Sequence, residues 1–135
     1  EAQSLIDATR EALRIGIAQA QADSRVGDIS AAVQEFSESR GYSVVRQYVG
    51  HGIGRALHEE PQVPNYGAPG RGPLLRKGMT IAIEPMLNAG GWETAQLDDG
   101  WTVVTADGSL SAHFEDTIAI TDNGAEILTA LEESP

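Results

Sequence analysis

Three histidines occur in the whole chain, and two of them, His51 and His58, share the segment Gly50-His51-Gly52-Ile53-Gly54-Arg55-Ala56-Leu57-His58-Glu59-Glu60-Pro61. Glycines beside an imidazole permit tight backbone approach and unusual dihedrals, which suits a ring held against a metal or a substrate. Neutral imidazole is a ligand for zinc, manganese, iron and cobalt. A glycine-rich turn with incidental histidines fits the same spacing, so this segment alone leaves both readings open. A second candidate is Ile81-Ala82-Ile83-Glu84-Pro85-Met86. A carboxylate at the end of an apolar strand is unusual unless it is paired or metal-bound. The alternative is that Glu84 sits at the exposed end of a strand that Pro85 terminates.

The third candidate is His113-Phe114-Glu115-Asp116-Thr117-Ile118-Ala119-Ile120. Strand alternation puts His113, Glu115 and Thr117 on one face and Phe114, Asp116 and Ile118 on the other. A solvated edge strand would explain any one of these charges. Taken together, the three segments offer one imidazole and two carboxylates, a hard O/N donor set that suits activated divalent metals rather than structural zinc. Such a set can hold two metals that share a carboxylate and a water. One histidine and two glutamates would leave two metals short of ligands.

These groups need elements to position them. The stretch from Glu1 to about Gln21 carries Leu5, Ile6, Leu13, Ile17 and Ala20 near one helical stripe, and it starts without an N-cap residue. That start is expected if the chain was cut from something longer. Asp28 is the expected N-cap of a second helix with Ile29, Ala32, Val33 and Phe36 inward, and Gly41 is its expected C-terminal glycine. Beyond Gly41, Tyr42–Val49 reads as a strand, and Pro61–Pro73 as an irregular loop rich in proline and glycine. Met79–Glu84, Trp101–Thr105, Ser111–Thr121 and Glu126–Thr129 read as strands, with Asp98-Asp99-Gly100, Asp107-Gly108 and Asp122-Asn123-Gly124 as turns. The expectation is one α+β domain over residues 1–135, with helices first and a mostly antiparallel sheet after.

With 135 residues and ordinary apolar and charged fractions, the chain can bury a core without help from a disulfide, and it has no cysteine. Twenty acidic residues against nine basic ones give a net charge of −11, which disfavours binding to nucleic acid. No apolar run is long enough to cross a membrane and no signal peptide is evident, so a cytoplasmic location is the expectation.

In order, spacing and wording, Gly50-His51-Gly52-Ile53-Gly54 with His58-Glu59-Glu60-Pro61, Ile83-Glu84-Pro85-Met86, Asp99-Gly100-Trp101-Thr102 and Ser111-Ala112-His113-Phe114-Glu115-Asp116-Thr117 resemble the type I, bacterial-type methionine aminopeptidases. The likeness runs from roughly Ile6 to Thr129. It implies the C-terminal half of a pita-bread (creatinase/aminopeptidase) fold, in which two similar halves enclose a dinuclear site for divalent cobalt, manganese, iron or zinc. The resemblance implies that His51 is the imidazole ligand. It likewise implies that Glu84 is a terminal carboxylate ligand that also helps activate water, and that Glu115 is the bridging carboxylate. It makes His58 a non-ligand that hydrogen-bonds the substrate at the scissile peptide, and Trp101 a wall of the methionine pocket. Leu57 stands where an aromatic pocket residue is common. His113 and Asp116 replace the more usual Gln and His beside the bridging glutamate, so the surroundings of that ligand differ.

The family also uses two aspartates and a further histidine from its first half, upstream of this segment; Asp7, Asp23 and Asp28 do not match them. The expected partners are therefore the N-terminus of a peptide or nascent protein and the missing N-terminal half. The isolated half, with an apolar sheet face uncovered, is expected to self-associate. The activity implied is removal of N-terminal methionine. A proline-specific pita-bread peptidase, suggested by Phe114-Glu115-Asp116-Thr117, and a non-catalytic binding module that keeps the scaffold are the alternatives.

Overall fold

The computed structural model describes residues 2–56, 58–98 and 103–129. Helix α1 spans Ala2–Ala18 and α2 spans Val26–Ser39. On α1 the buried residues Leu5, Ala8, Thr9, Ala12, Leu13 and Gly16 follow the three-four spacing of a single helical face. Thr9 stays inside that face because its hydroxyl donates to the Leu5 carbonyl at 2.8 Å. The helices pack together at Gly16, where a Cβ would stand 2.9 Å from Val33 Cγ2.

The start of α2 differs from expectation. Arg25, in extended conformation, is the N-cap, and Asp28 lies three residues further in. From there the Asp28 carboxylate accepts the Arg25 N–H and the Gly70 N–H, both at 2.8 Å. Those two donors hold its carboxyl below the ordinary range. Asp28 thus caps from inside the first turn and ties the helix to the loop at residue 70, a partner that local sequence does not show. At the other end Gly41, with φ 85°, ends the helix as expected.

The strands are β1 (Ser43–Val44), β2 (Gly50–Gly52), β3 (Glu59–Val63), β4 (Thr80–Ile83), β5 (Met86–Asn88), β6 (Thr94–Gln96), β7 (Val103–Thr105), β8 (Ser111–His113), β9 (Asp116–Thr121) and β10 (Gly124–Ile127). They form a five-stranded sheet in the order β10-β9-β4-β2-β3, a three-stranded sheet β1-β5-β8 and a two-stranded ribbon β6-β7. Among the described residues every strand pairing is antiparallel.

Several expected boundaries move. The strand expected over Tyr42–Val49 is only Ser43–Val44: Val45 still donates its N–H to the Met86 carbonyl, and the next three residues then bend out into solvent. The glycine-rich segment is not a turn: its first three residues are β2, an inner strand. The loop expected from Pro61 begins instead with β3, where proline is tolerated because β3 is the edge of its sheet. The single strand expected over Ser111–Thr121 is two strands.

That last break matters most. β4 pairs with β9 as far as Ile83↔Asp116, and β5 pairs with β8 from Met86↔His113 onward. The four strands are one long antiparallel ribbon that bends at Glu84-Pro85 opposite Phe114-Glu115 and passes from one sheet to the other. Pro85 has no N–H to give the ladder, and at the bend only Phe114 N–H reaches across, to the Pro85 carbonyl at 3.2 Å. Ile81, Ile83, Leu87, Ile118 and Ile120 pin both arms of the ribbon onto Leu5, Ile29 and Val33 of the helices. Each such fully buried side chain contributes about 1.5–3 kcal/mol of transfer free energy.

Candidate metal centre

The bend in the ribbon gathers the candidate ligands. His51 lies opposite Ala82, and Ala82 lies opposite Thr117, so the three side chains share one face of the sheet. Glu84 is two residues beyond Ala82 and Glu115 two residues before Thr117, so strand alternation brings both carboxylates to the face that carries His51. The result is that one ligand atom each from His51, Glu84 and Glu115 lies within 4.8 Å of the others. His51 is buried, Glu84 is half-buried and Glu115 is exposed.

The glycines around His51 have a steric purpose. A Cβ on Gly50 would stand 2.1 Å from the Ala82 carbonyl oxygen, and one on Gly52 would stand 2.3 Å from the Glu60 carbonyl oxygen. Only glycine lets the backbone of β2 sit this close to its neighbours.

The tautomer of His51 follows from its partners. Its Nδ1 lies 3.1 Å from the Gly52 carbonyl oxygen, which can only accept, so Nδ1 carries the proton and donates. The bare lone pair on Nε2 then faces Glu84 Oε2 at 3.2 Å. Two acceptors at that distance require a proton or a cation between them. With metal–ligand bonds of about 2.1 Å, two donors on one ion lie at most about 4.2 Å apart, so small rotations of the exposed Glu115 close the set on a divalent ion. The donor set fits such an ion.

Two more histidines border the cluster. The His58 ring lies with its centroid 4.0 Å from that of His51, tilted by 42°. It is exposed, on the connection between β2 and β3, where Ala56 N–H bonds the Glu59 carboxylate at 2.8 Å. His113 Nε2 lies 3.7 Å from the other oxygen of Glu84, and the Glu84 carboxylate raises the imidazole above its ordinary pKa while partial desolvation opposes the shift. Asp116 points the other way, toward the Thr129 hydroxyl, which donates to it at 2.9 Å. Trp101 and Leu57 lie outside the described residues.

A cavity of about 380 Å³ opens beside His51 and His58, with Val49, Glu59, Glu60 and Gln62 on its other walls. A more apolar cavity of about 340 Å³ lies between the start of α2 and β3, with Val26, Tyr66 and Pro73 among its walls and without the histidines. Only the first is walled by His51, the histidine of the ligand cluster.

The residues sequence reasoning placed at the site (His51, Glu84, Glu115 and His58) are brought together. One that it missed is Asn65, which is fully buried and donates through its amide to the Glu84 carbonyl at 3.2 Å. It lies in the stretch expected to be irregular loop, and only the bend of the ribbon brings it to Glu84.

Two helices against sheets that are antiparallel among the described residues, with a His/Glu/Glu cluster at the bend of the ribbon, suit a metallopeptidase. Residues 1–122 match metallopeptidase family M24, and the chain belongs to that family. Its architecture is that of the pita-bread fold. More particularly, it is 58% identical over 132 residues to a methionine aminopeptidase of Clostridium perfringens, covering 98% of this chain and 53% of that protein. It superposes with a TM-score of 0.92 and 57% identity on the crystal structure of a methionine aminopeptidase from Thermotoga maritima, covering 94% of this chain and 51% of that one. A prolidase from Pyrococcus horikoshii is more distant, with a TM-score of 0.71, 25% identity and coverage of 96% and 32%. The chain spans about half the length of the curated relatives it matches. No described helix is long and apolar enough to cross a membrane.

Proposed function

We propose that this chain is the C-terminal half of a metal-dependent aminopeptidase that removes methionine from the N-termini of peptides and nascent proteins. The observation that carries the reading is the convergence of His51, Glu84 and Glu115 within 4.8 Å, in a chain as similar to methionine aminopeptidases as this one. His51 would ligate through Nε2, with Glu84 as a terminal carboxylate and Glu115 as the bridging carboxylate, completed by two aspartates from an N-terminal half. Two divalent ions held there, cobalt, manganese, iron or zinc, would supply a water of lowered pKa and a Lewis acid for the scissile carbonyl.

This chain's own residues do the rest. The Gly52 carbonyl keeps His51 in the tautomer that presents Nε2. Glu84 takes up the proton that the attacking water gives off. His58, beside His51 and open to the cavity, donates to the carbonyl oxygen of the scissile bond as negative charge develops there. The family resemblance assigns Trp101 and Leu57 to contact with the unbranched methionine side chain of the substrate. Exposed Leu97, Val104, Leu110, Ile127 and Leu128 leave apolar surface that supports docking of the other half, or self-association without it.

The test is hydrolysis of Met-Ala-Ser with manganese or cobalt, by this chain alone and with the N-terminal half of the Clostridium perfringens relative added. Turnover only in the mixture, abolished by Glu115→Ala, is expected. Cleavage of Ala-Pro peptides in preference to Met-Ala-Ser would favour the proline-specific reading, and no turnover of either in the mixture would favour a non-catalytic module.

A further inference from the structure

We propose that Asn65 is a positioning residue for Glu84, its buried amide replacing the hydrogen bond that the sheet ladder drops at the bend. The proposal rests on the reading of Glu84 as a ligand. Bonded pairs alternate along the ribbon, with Ile120 N–H on the Met79 carbonyl and Phe114 N–H on the Pro85 carbonyl, so the Glu84 carbonyl faces the β2 side, where among the described residues the β2–β4 pairing ends at His51↔Ala82. That carbonyl receives the Asn65 amide instead, at 3.2 Å.

Asn65 is fully buried, and its own side-chain oxygen has no hydrogen-bond partner among the described residues. An unsatisfied buried acceptor is costly, and an apolar residue of the same size would avoid it. Turning the amide over would not help, because it would set oxygen against the Glu84 carbonyl oxygen. The donor nitrogen is therefore what the position supplies. The neighbouring Pro64 carbonyl accepts the Ser30 hydroxyl, so Asn65 is itself held from α2. The line from α2 through Pro64 and Asn65 to the Glu84 backbone fixes the root of a side chain whose carboxylate must meet His51 Nε2. Backbone freedom at Glu84 would let the carboxylate swing without breaking any contact inside either sheet.

The experiment is cobalt(II) titration of the 135-residue chain, followed by calorimetry and by the visible absorption of the bound ion, with thermal unfolding measured in parallel. Asn65→Leu removes the donor at nearly constant volume and is expected to weaken cobalt binding by about ten- to a hundredfold and to change its absorption. Leu75→Ala, a core truncation beside the connection between the helices, where Leu75 bonds Asp23 and Ser24, is expected to lower the unfolding midpoint and leave cobalt affinity and absorption as in wild type. If Asn65→Leu does not fold, Ser30→Ala, which frees the Pro64 carbonyl, is expected to weaken binding in the same sense by less. Wild-type affinity and absorption in Asn65→Leu, or equal weakening by Leu75→Ala, overturns the positioning role. Glu84→Ala separates the two readings. If it binds cobalt as wild type does, Glu84 is not a ligand and the proposal falls with that assignment, whatever Asn65→Leu does.

Discussion

Replacing Gly50 by alanine should break the sheet at its most constrained point. The added Cβ would stand 2.1 Å from the Ala82 carbonyl oxygen and 3.2 Å from Val63 Cβ. Comfortable contact is about 3.5 Å, so β2 and β4 must separate by more than about 1 Å. β2 can retreat only together with the edge strand β3, which strips both strands from β4. β4 cannot retreat, since β9 is paired along its whole length. Overpacking of this kind costs about 1–3 kcal/mol, and each ladder bond lost adds about 0.5–1.5 kcal/mol. A total of about 3–5 kcal/mol follows, which at this chain length lowers the thermal midpoint by roughly 10–20 °C. The assay is urea and thermal unfolding followed by circular dichroism, with Gly41→Ala as reference. Gly41 has φ 85° and nothing within 4 Å of an added methyl, so its alanine bears only the left-handed backbone penalty of about 1–2 kcal/mol. Gly50→Ala unfolding no more easily than Gly41→Ala would refute the steric argument.

Gly52→Ala should be milder than Gly50→Ala by the same measurement, because the carbonyl it meets belongs to Glu60 on the edge strand, which has room to yield. Ile83→Ala, at a fully buried residue beside the bend, should cost about 2–5 kcal/mol in urea unfolding. Asp107 accepts N–H bonds from Gly91 and Ser109, and these hold its carboxyl down at about 2 from an ordinary 3.8. Its folded pKa lies below its unfolded one, so its stabilisation is fully present above the unfolded value and disappears as pH falls from there through about 2. Asp107→Asn should therefore flatten the fall in thermal midpoint across that acid range while leaving the pH dependence near neutrality unchanged.

Much of the site was legible in the sequence, because chemistry restricts residue type. A Gly-flanked histidine, a glutamate ending an apolar run and a His-Phe-Glu-Asp string are each ambiguous, yet their order along one chain is not. The helices were equally legible: Leu5, Leu13, Ile29 and Val33 repeat at helical spacing, and Gly41 adopts the left-handed conformation its identity suggests. Period-two alternation also put His113, Glu115 and Thr117 on a common face, and it survives the break that divides their strand.

What lay beyond the sequence were the relations between distant segments. Gly50-His51-Gly52 is open between a turn and a held imidazole until β3 and β4 close on both sides of it, because strand propensity is local and the space for a backbone is not. Asp28 has the composition of an N-cap, but the Gly70 N–H that shares its carboxylate is brought from another part of the chain. The bend at Glu84-Pro85 and Phe114-Glu115 exists because two strand pairs must serve two sheets at once, and no single segment shows that demand. Asn65 gains its place only through that bend: the ladder leaves the Glu84 carbonyl free, and burial requires that it find a donor.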